Sequence, residues 1–438
     1  MERLLTLRWR VALAVLVVVV ALVGGVLVVL RAPAGNDVAG SLDPSASPTT
    51  GDDAPSATPS ISPTTPADPI PTAGPPAGTV HVDDRRRARY GGRHLGWDDL
   101  LDRGTKLPAV SAGCRSDWKT TSRDDALSWK KASFLCLDQL TGNGFHPQGI
   151  GGSGSTVGYR IGGRDAGERN IVLVSSYSSE AEAGLRFPHR PGRTDTTRLT
   201  VIDIDRRVFT HVELVRPVGP DSFTALDSHG SGVAWAGQYL YSSSRGSLWM
   251  FNADDLMEID GRFVLPAVAR WSVQGRGGLS SIGVDRSTRP ATLTGINYSE
   301  TGTAWSHSFT LTADGRVRNG ATTGEHQLDL IRGFGPGSAA IRSSRSAVVQ
   351  GTNFQGIGAS GPYRFVNSSS LMLDGKRHGD NVVVLKKNKA IARFSLPREN
   401  VESVYVDYRR KRYVTVTEHG RQFLFSLPIE HLIDRAER

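Results

Sequence analysis

The chain is poor in the residues that build large cores and in the motifs that announce familiar chemistries. Aromatic residues make up 7% and hydrophobic residues 38% of its 438 positions, too few for every segment to lie inside a core. It contains no HExxH, no Walker-type phosphate loop, no CxxC pair and no GxSxG elbow. Zincin, P-loop, dithiol and nucleophile-elbow mechanisms therefore have no footing in the sequence. The glycines of 149–154 imitate a phosphate loop only superficially, because no helix follows to supply an N-terminal dipole.

Charge of one sign is also missing where a nucleic-acid binder would concentrate it. The balance is basic, 52 Lys plus Arg against 43 Asp plus Glu with a pI near 9.7, but the basic residues are scattered. We set nucleic acid aside on that ground. Arg85-Arg86-Arg87 reads as a solvated charge run. No Lys or Arg occurs between Arg31 and Arg85, and no aromatic residue between 32 and 80.

What is present begins with an uninterrupted apolar run, Val11 to Leu30. As a helix rising 1.5 Å per residue it would span about 30 Å, the hydrocarbon thickness of a bilayer. Arg3, Arg8 and Arg10 precede it, so the positive-inside rule places residues 1–10 in the cytoplasm and everything after Arg31 outside. We read 11–31 as a transmembrane signal anchor and the membrane as a partner through that segment. The competing reading is a signal peptide cleaved after Ala32-Pro33-Ala34, which would leave a secreted protein. The run exceeds the usual signal core of about 7–15 residues, which favours the anchor.

Residues 32–81 form a Pro/Ser/Thr-rich linker, with 11 of the 23 prolines between 32 and 80. Such composition buries too little apolar surface to offset its ordering entropy, so a disordered stalk is expected. From 82 to 145 charged and aromatic residues return, and we expect a small neck. Helical spacing is read around 97–102 and 124–137. Cys114 and Cys136 would close a loop of about 23 residues, worth roughly 3 kcal/mol as a disulfide; two unpaired thiols are the alternative.

From 146 to 438 short β-type runs are separated by Gly, Asp, Asn and Ser, and the expected class is mainly β. Gln148-Gly149-Ile150-Gly151-Gly152-Ser153-Gly154 recurs as Gln355-Gly356-Ile357-Gly358-Ala359-Ser360-Gly361. Looser copies begin at Ser231, Ser280 and Glu402, and several continue as strand, turn, strand, turn, strand. Further copies around 171–214 and 338–350 are too worn to count. A unit this small cannot bury both its faces alone, so copies must pack on one another.

With residues 401–425, Val-Glu-Ser-Val-Tyr-Val-Asp, a basic turn, then Arg412-Tyr413-Val414-Thr415-Val416-Thr417 and Phe423-Leu424-Phe425, the chain resembles the NHL, YVTN and SMP-30-like group of β-propellers. It is similar in particular to exported propeller-like proteins of high-GC Gram-positive bacteria. The resemblance implies a β-propeller of about six blades, five to seven by length; a pair of β-sandwiches is the alternative. It also implies that the polar residue before each innermost strand faces the channel. Those positions are Gln148, Ser231, Ser280, Gln355 and Glu402, a mostly neutral ring suited to hydrogen bonding a glycan or peptide.

Histidines supply the weaker catalytic candidates. His229, in Leu226-Asp227-Ser228-His229-Gly230, and His146 both precede inner-strand copies, and with Asp227 they could serve a hydrolase or lyase. No cofactor is identified, and a metal ion in the channel stays open. The reading is a membrane-tethered extracellular binding module for a cell-envelope glycan, peptide or surface protein. An exported propeller enzyme acting on a small molecule is the alternative, and a plain structural spacer a third.

Overall fold

In the computed structural model the chain divides into two units, Met1–Asp68 and Pro69–Arg438. The structure describes residues 92–438 except 122–128, 130–131, 142–143, 179–195, 218–222, 227, 245, 275–277, 300–302, 319–338, 343–344, 351–352, 370, 374–375, 379 and 398–399. The expected anchor at 11–31, the linker at 32–81 and Asp227 lie outside the described residues. Among the described residues no helix is long and apolar enough to cross a membrane.

Alternating hydrophobic runs punctuated by Gly, Asp and Asn turns fold as strands, and the described domain is mainly β. Twenty strands, numbered here in chain order, build five four-stranded antiparallel sheets. Sheet I contains β2 (Phe145–Gly152), β3 (Ile171–Ser178), β4 (Thr196–Asp203) and β5 (Val208–Pro217). Sheet II contains β6 (Gly232–Ala236), β7 (Tyr239–Ser244), β8 (Ser247–Asn252) and β9 (Arg262–Gln274). Sheet III follows with β10 (Ser281–Asp285), β11 (Thr292–Ile296), β12 (Thr303–Thr310) and β13 (Arg345–Gln350). Sheet IV is β14 (Phe354–Ser360), β15 (Tyr363–Ser368), β16 (Asn381–Lys386) and β17 (Lys389–Ser395).

Sheet V is composite. It takes β18 (Val401–Asp407), β19 (Arg412–Thr417) and β20 (Phe423–Pro428) from the end of the chain and β1 (Ser133–Cys136) from before sheet I. Phe134 pairs with Phe425 and Cys136 with Phe423. Here the structure corrects the helical spacing read over 124–137: Ser133–Cys136 is a strand, because the edge of β20 offers it a ladder far away in sequence.

The first strand of every sheet lies against the first strand of its neighbours, β2 on β6, β6 on β10, β10 on β14, β14 on β18, and β18 back on β2. Each gap between successive sheets holds its own apolar cluster. Trp235, Trp249 and Leu199 fill the gap between I and II, Tyr241, Trp271 and Phe309 that between II and III, and Ile296, Phe354 and Val383 that between III and IV. Phe365, Tyr413 and Phe425 lie between IV and V, and Ile150, Tyr405 and Val416 between V and I. Val233 and Trp235 of β6 face sheet I while Ala234 and Ala236 face sheet III. The period-2 alternation of a strand thus serves two apolar faces, which is why these strands read as continuous hydrophobic runs.

A short parallel pairing of β9 with β5, Val264–Pro266 on Glu213–Val215, joins sheets I and II into one eight-strand path. Its end strands β6 and β2 lie together, so that path nearly closes on itself. Among the described residues there are five four-stranded sheets, at the lower end of the expected five to seven units. The worn copies near 171–214 and 338–350 supply middle and outer strands of sheets I and III, with Ala339–Arg342 added in parallel to β9 of sheet II, and no inner strand.

The repeated glycines follow from the closeness of the inner strands. A Cβ on Gly151 would stand 2.6 Å from the Val233 carbonyl oxygen, and one on Gly356 would stand 2.6 Å from the Val404 nitrogen. No side chain fits there. Ser281 Oγ and Ser403 Oγ of the inner-strand region meet at 2.9 Å.

The segment read as a neck packs into these gaps. In helix α1 (Trp97–Asp102) Trp97 lies 4.7 Å from Trp235, ring centre to ring centre. Helix α2 (Ala112–Thr121) sets Trp118 on Phe134 at 4.8 Å and brings Cys114 to disulfide distance of Cys136, Cα to Cα 6.4 Å.

Candidate functional site

A cavity of about 380 Å³ opens at the end of the ring where the inner strands begin. Gln148, Ser231, Ser280, Gln355 and Glu402, one from the start of each inner strand, all line it, together with His229, Asn297, Tyr298 and Glu418. Three of the five owe their direction to irregular pairing. Strand register shifts between Pro147 and Gly149, between Phe354 and Gly356, and between Val401 and Val404. Gln148, Gln355 and Glu402 are therefore bulge residues, and a bulge re-aims a side chain that regular alternation would send between the sheets.

The lining is mostly neutral and hydrogen-bonding. Ser280 donates its hydroxyl to the Ile296 carbonyl at 2.9 Å, and Asn297 donates to the Tyr298 carbonyl at 3.2 Å. Tyr298 is 42% exposed, the most exposed large hydrophobic side chain among the described residues. It stands on the cavity wall, and among the described residues no Lys or Arg lines the cavity.

The charged chemistry is concentrated in two acids. Glu402 is 3% exposed, and burial, reinforced by the neighbouring carboxyl groups of Glu418 and Asp380, pushes its carboxyl well above the usual range. That direction favours the protonated form of Glu402, whose carboxyl hydrogen-bonds Glu418. Glu418 also accepts from the Tyr177 hydroxyl at 2.9 Å and stands 3.1 Å from His419 Nε2. Tyr177 stacks on His229 at 3.9 Å between ring centres.

Of the catalytic candidates, His229 reaches the cavity. His146 sits behind it, 5.4 Å from both the Tyr177 and His419 rings, and does not line it. Among the described residues no three His, Cys, Asp or Glu side chains gather as metal ligands. Glu418, Asn297, Tyr298 and Tyr177 were not among the candidate positions. Tyr298 carried a signal, an aromatic residue in a polar turn directly after a strand, whereas Tyr177 and Glu418 come together only when sheets I and V meet.

No protein-family model matches the chain, and no curated protein matches it. The function therefore has to be read from the site itself. A second cavity of about 490 Å³, near α1, is lined by charges that answer one another: Arg169 meets Asp98 at 2.5 Å and Asn170 donates to Asp205 at 3.0 Å.

Proposed function

We propose that the five sheets are the blades of a five-bladed β-propeller, and that this propeller is a binding module for a hydroxyl-rich ligand, a cell-envelope glycan. The observation that carries the reading is the convergence of one polar side chain from each inner strand on a single cavity with an exposed tyrosine on its wall. Amides and hydroxyls pair with sugar hydroxyls in either direction, and an aromatic face packs on the apolar face of a sugar ring. Ligand sites begin at about 300 Å³, and the cavity is of that class.

On this reading the domain belongs with the NHL, YVTN and SMP-30-like propellers. It works outside the cell, tethered through 11–31 or released by signal cleavage, and two cysteines at disulfide distance suit an oxidising compartment. The direct test is calorimetric titration of residues 82–438 with chitin and peptidoglycan oligosaccharides. Tyr298→Ala and Gln355→Ala are each expected to weaken binding about tenfold, or about 1.4 kcal/mol. A folded domain that binds no glycan would overturn the proposal.

The second reading, an exported hydrolase, rests on the Glu402–Glu418 pair beside His229. Carboxyl groups in hydrogen-bond contact stand closer than the roughly 5–9.5 Å that glycoside hydrolysis requires, which favours binding. Release of reducing sugar from the same oligosaccharides would reverse that order.

A further inference from the structure

We infer that the sugar this pocket takes carries a free ammonium group, and that Glu402 and Glu418 are its counter-ions. The inference rests on the binding reading above and adds the ligand's charge.

Glu402 lies among acids at the cavity. Its titratable neighbours are Glu418 and His419 after β19, Asp380 ahead of β16, Tyr177 on β3, and His229 and His146 before and on the inner strands of sheets II and I. Among the described residues, the groups that act on its carboxyl are the acids Glu418 and Asp380, with no lysine or arginine. A buried carboxyl without a basic partner costs stability, and one with a solvent-facing cavity in front of it leaves room for a cation to arrive from outside. The rest of the wall explains why that cation would belong to a sugar: Gln148, Ser231, Ser280 and Gln355 offer neutral donors and acceptors around the pair.

Charge balance then sets a signature. In the empty pocket burial favours the protonated form of Glu402. When an ammonium group enters, its charge favours the Glu402 carboxylate, whose proton passes to solvent, so amine binding releases up to one proton. Affinity for the amine consequently rises with pH, by at most tenfold per unit for one released proton. A sugar whose nitrogen is acetylated meets the same hydroxyl-binding wall but releases no proton.

The experiment titrates residues 82–438 with a glucosamine tetramer and with its N-acetylated counterpart, at pH 6.5 in two buffers of different ionisation enthalpy. The amine is expected to bind at least tenfold tighter, with net release of protons. Glu402→Gln, which keeps shape and removes the charge, should abolish that preference, read as the ratio of the two affinities in the variant. Equal affinity for the two tetramers, no proton release from the wild type, or a preference that survives Glu402→Gln would each overturn the inference and leave the binding reading standing. If neither tetramer binds the folded wild-type domain, both fall.

Discussion

The two ends of the inner strands treat buried acids in opposite ways. Where the strands leave the ring, Asp285 and Asp407 are 2% and 4% exposed and fully answered. Asp285 accepts from the Ser287 backbone at 2.9 Å and from the Tyr408 hydroxyl at 3.2 Å, with Arg364 at 3.9 Å. Asp407 accepts from the Arg410 backbone at 2.9 Å and its guanidinium at 3.3 Å. Where the strands enter, Glu402 is buried to the same degree and, among the described residues, its carboxyl is acted on by the acids Glu418 and Asp380. One end satisfies its polar groups and locks neighbouring sheets together. The other leaves a charge need unmet beside an open cavity, the local inconsistency expected of a functional site.

Both ends depend on the glycines between them, so the largest effect should come from there. Gly356→Val would drive a side chain into the Val404 nitrogen and the Glu402 carbonyl, 2.6 and 2.8 Å from its Cβ. Overpacking against backbone cannot be relieved by a rotamer change, and a loss of about 3 kcal/mol or more is expected. Urea unfolding of the purified variant checks this. Wild-type stability there would mean that the inner strands stand further apart than the repeat implies.

At the locked end, Asp285→Ala takes the acceptor from the Ser287 backbone and hydroxyl and leaves the half-buried Tyr408 hydroxyl with the Ala359 carbonyl alone. A loss of about 2 kcal/mol is expected, read as a melting temperature lower by about 5 °C.

At the open end the sign reverses. Glu402→Gln removes a carboxyl whose folded-state pKa is raised above its unfolded value. A raised group contributes fully below the unfolded pKa, about 4.3, and that contribution is lost as pH rises toward the folded value. The wild type therefore loses stability in that window at up to about 1.4 kcal/mol per pH unit, and the variant does not. Near pH 5 the two should melt within about 1 kcal/mol of each other, and at pH 8 the variant should be the more stable. Melting curves of both across pH 5–8 decide it, and a variant as damaged as Asp285→Ala at every pH would erase the contrast between the two ends.

The same contrast separates what could be read in the sequence from what could not. The five inner-strand starts were legible because each obeys a local demand: a bulge residue or strand-leading serine at the entrance, then in the Gln148 and Gln355 copies glycines where backbones touch. Sheet number was harder. Dividing length by a typical repeat suggests about six, but sheet III alone takes the chain from Ser281 to Gln350, more than one typical repeat. The strand Ser133–Cys136 was hidden because its partner lies near Phe425, and Phe134 and Leu127 happen to share helical spacing. Glu402 and Glu418 come together through the pairing of β18 with β19, Val401 opposite Thr417, whereas the contact of Glu418 with Tyr177 is made only where sheets V and I meet.

The smallest expected effect tests whether burial, rather than pairing itself, makes the locked end stable. Arg409 meets Asp165 at 3.6 Å near that end, but its side chain is 48% exposed and that of Asp165 33% exposed. Water screens such a pair and ordering two side chains offsets most of its attraction, so Arg409→Ala should cost no more than about 0.5 kcal/mol. The difference should shrink further in 0.5 M salt, where charges several ångströms apart are strongly screened. A loss approaching that of Asp285→Ala would mean that the outer arginines, and not the buried aspartates, hold the sheets together at this end. The contrast between the two ends would then be one of charge number instead of desolvation.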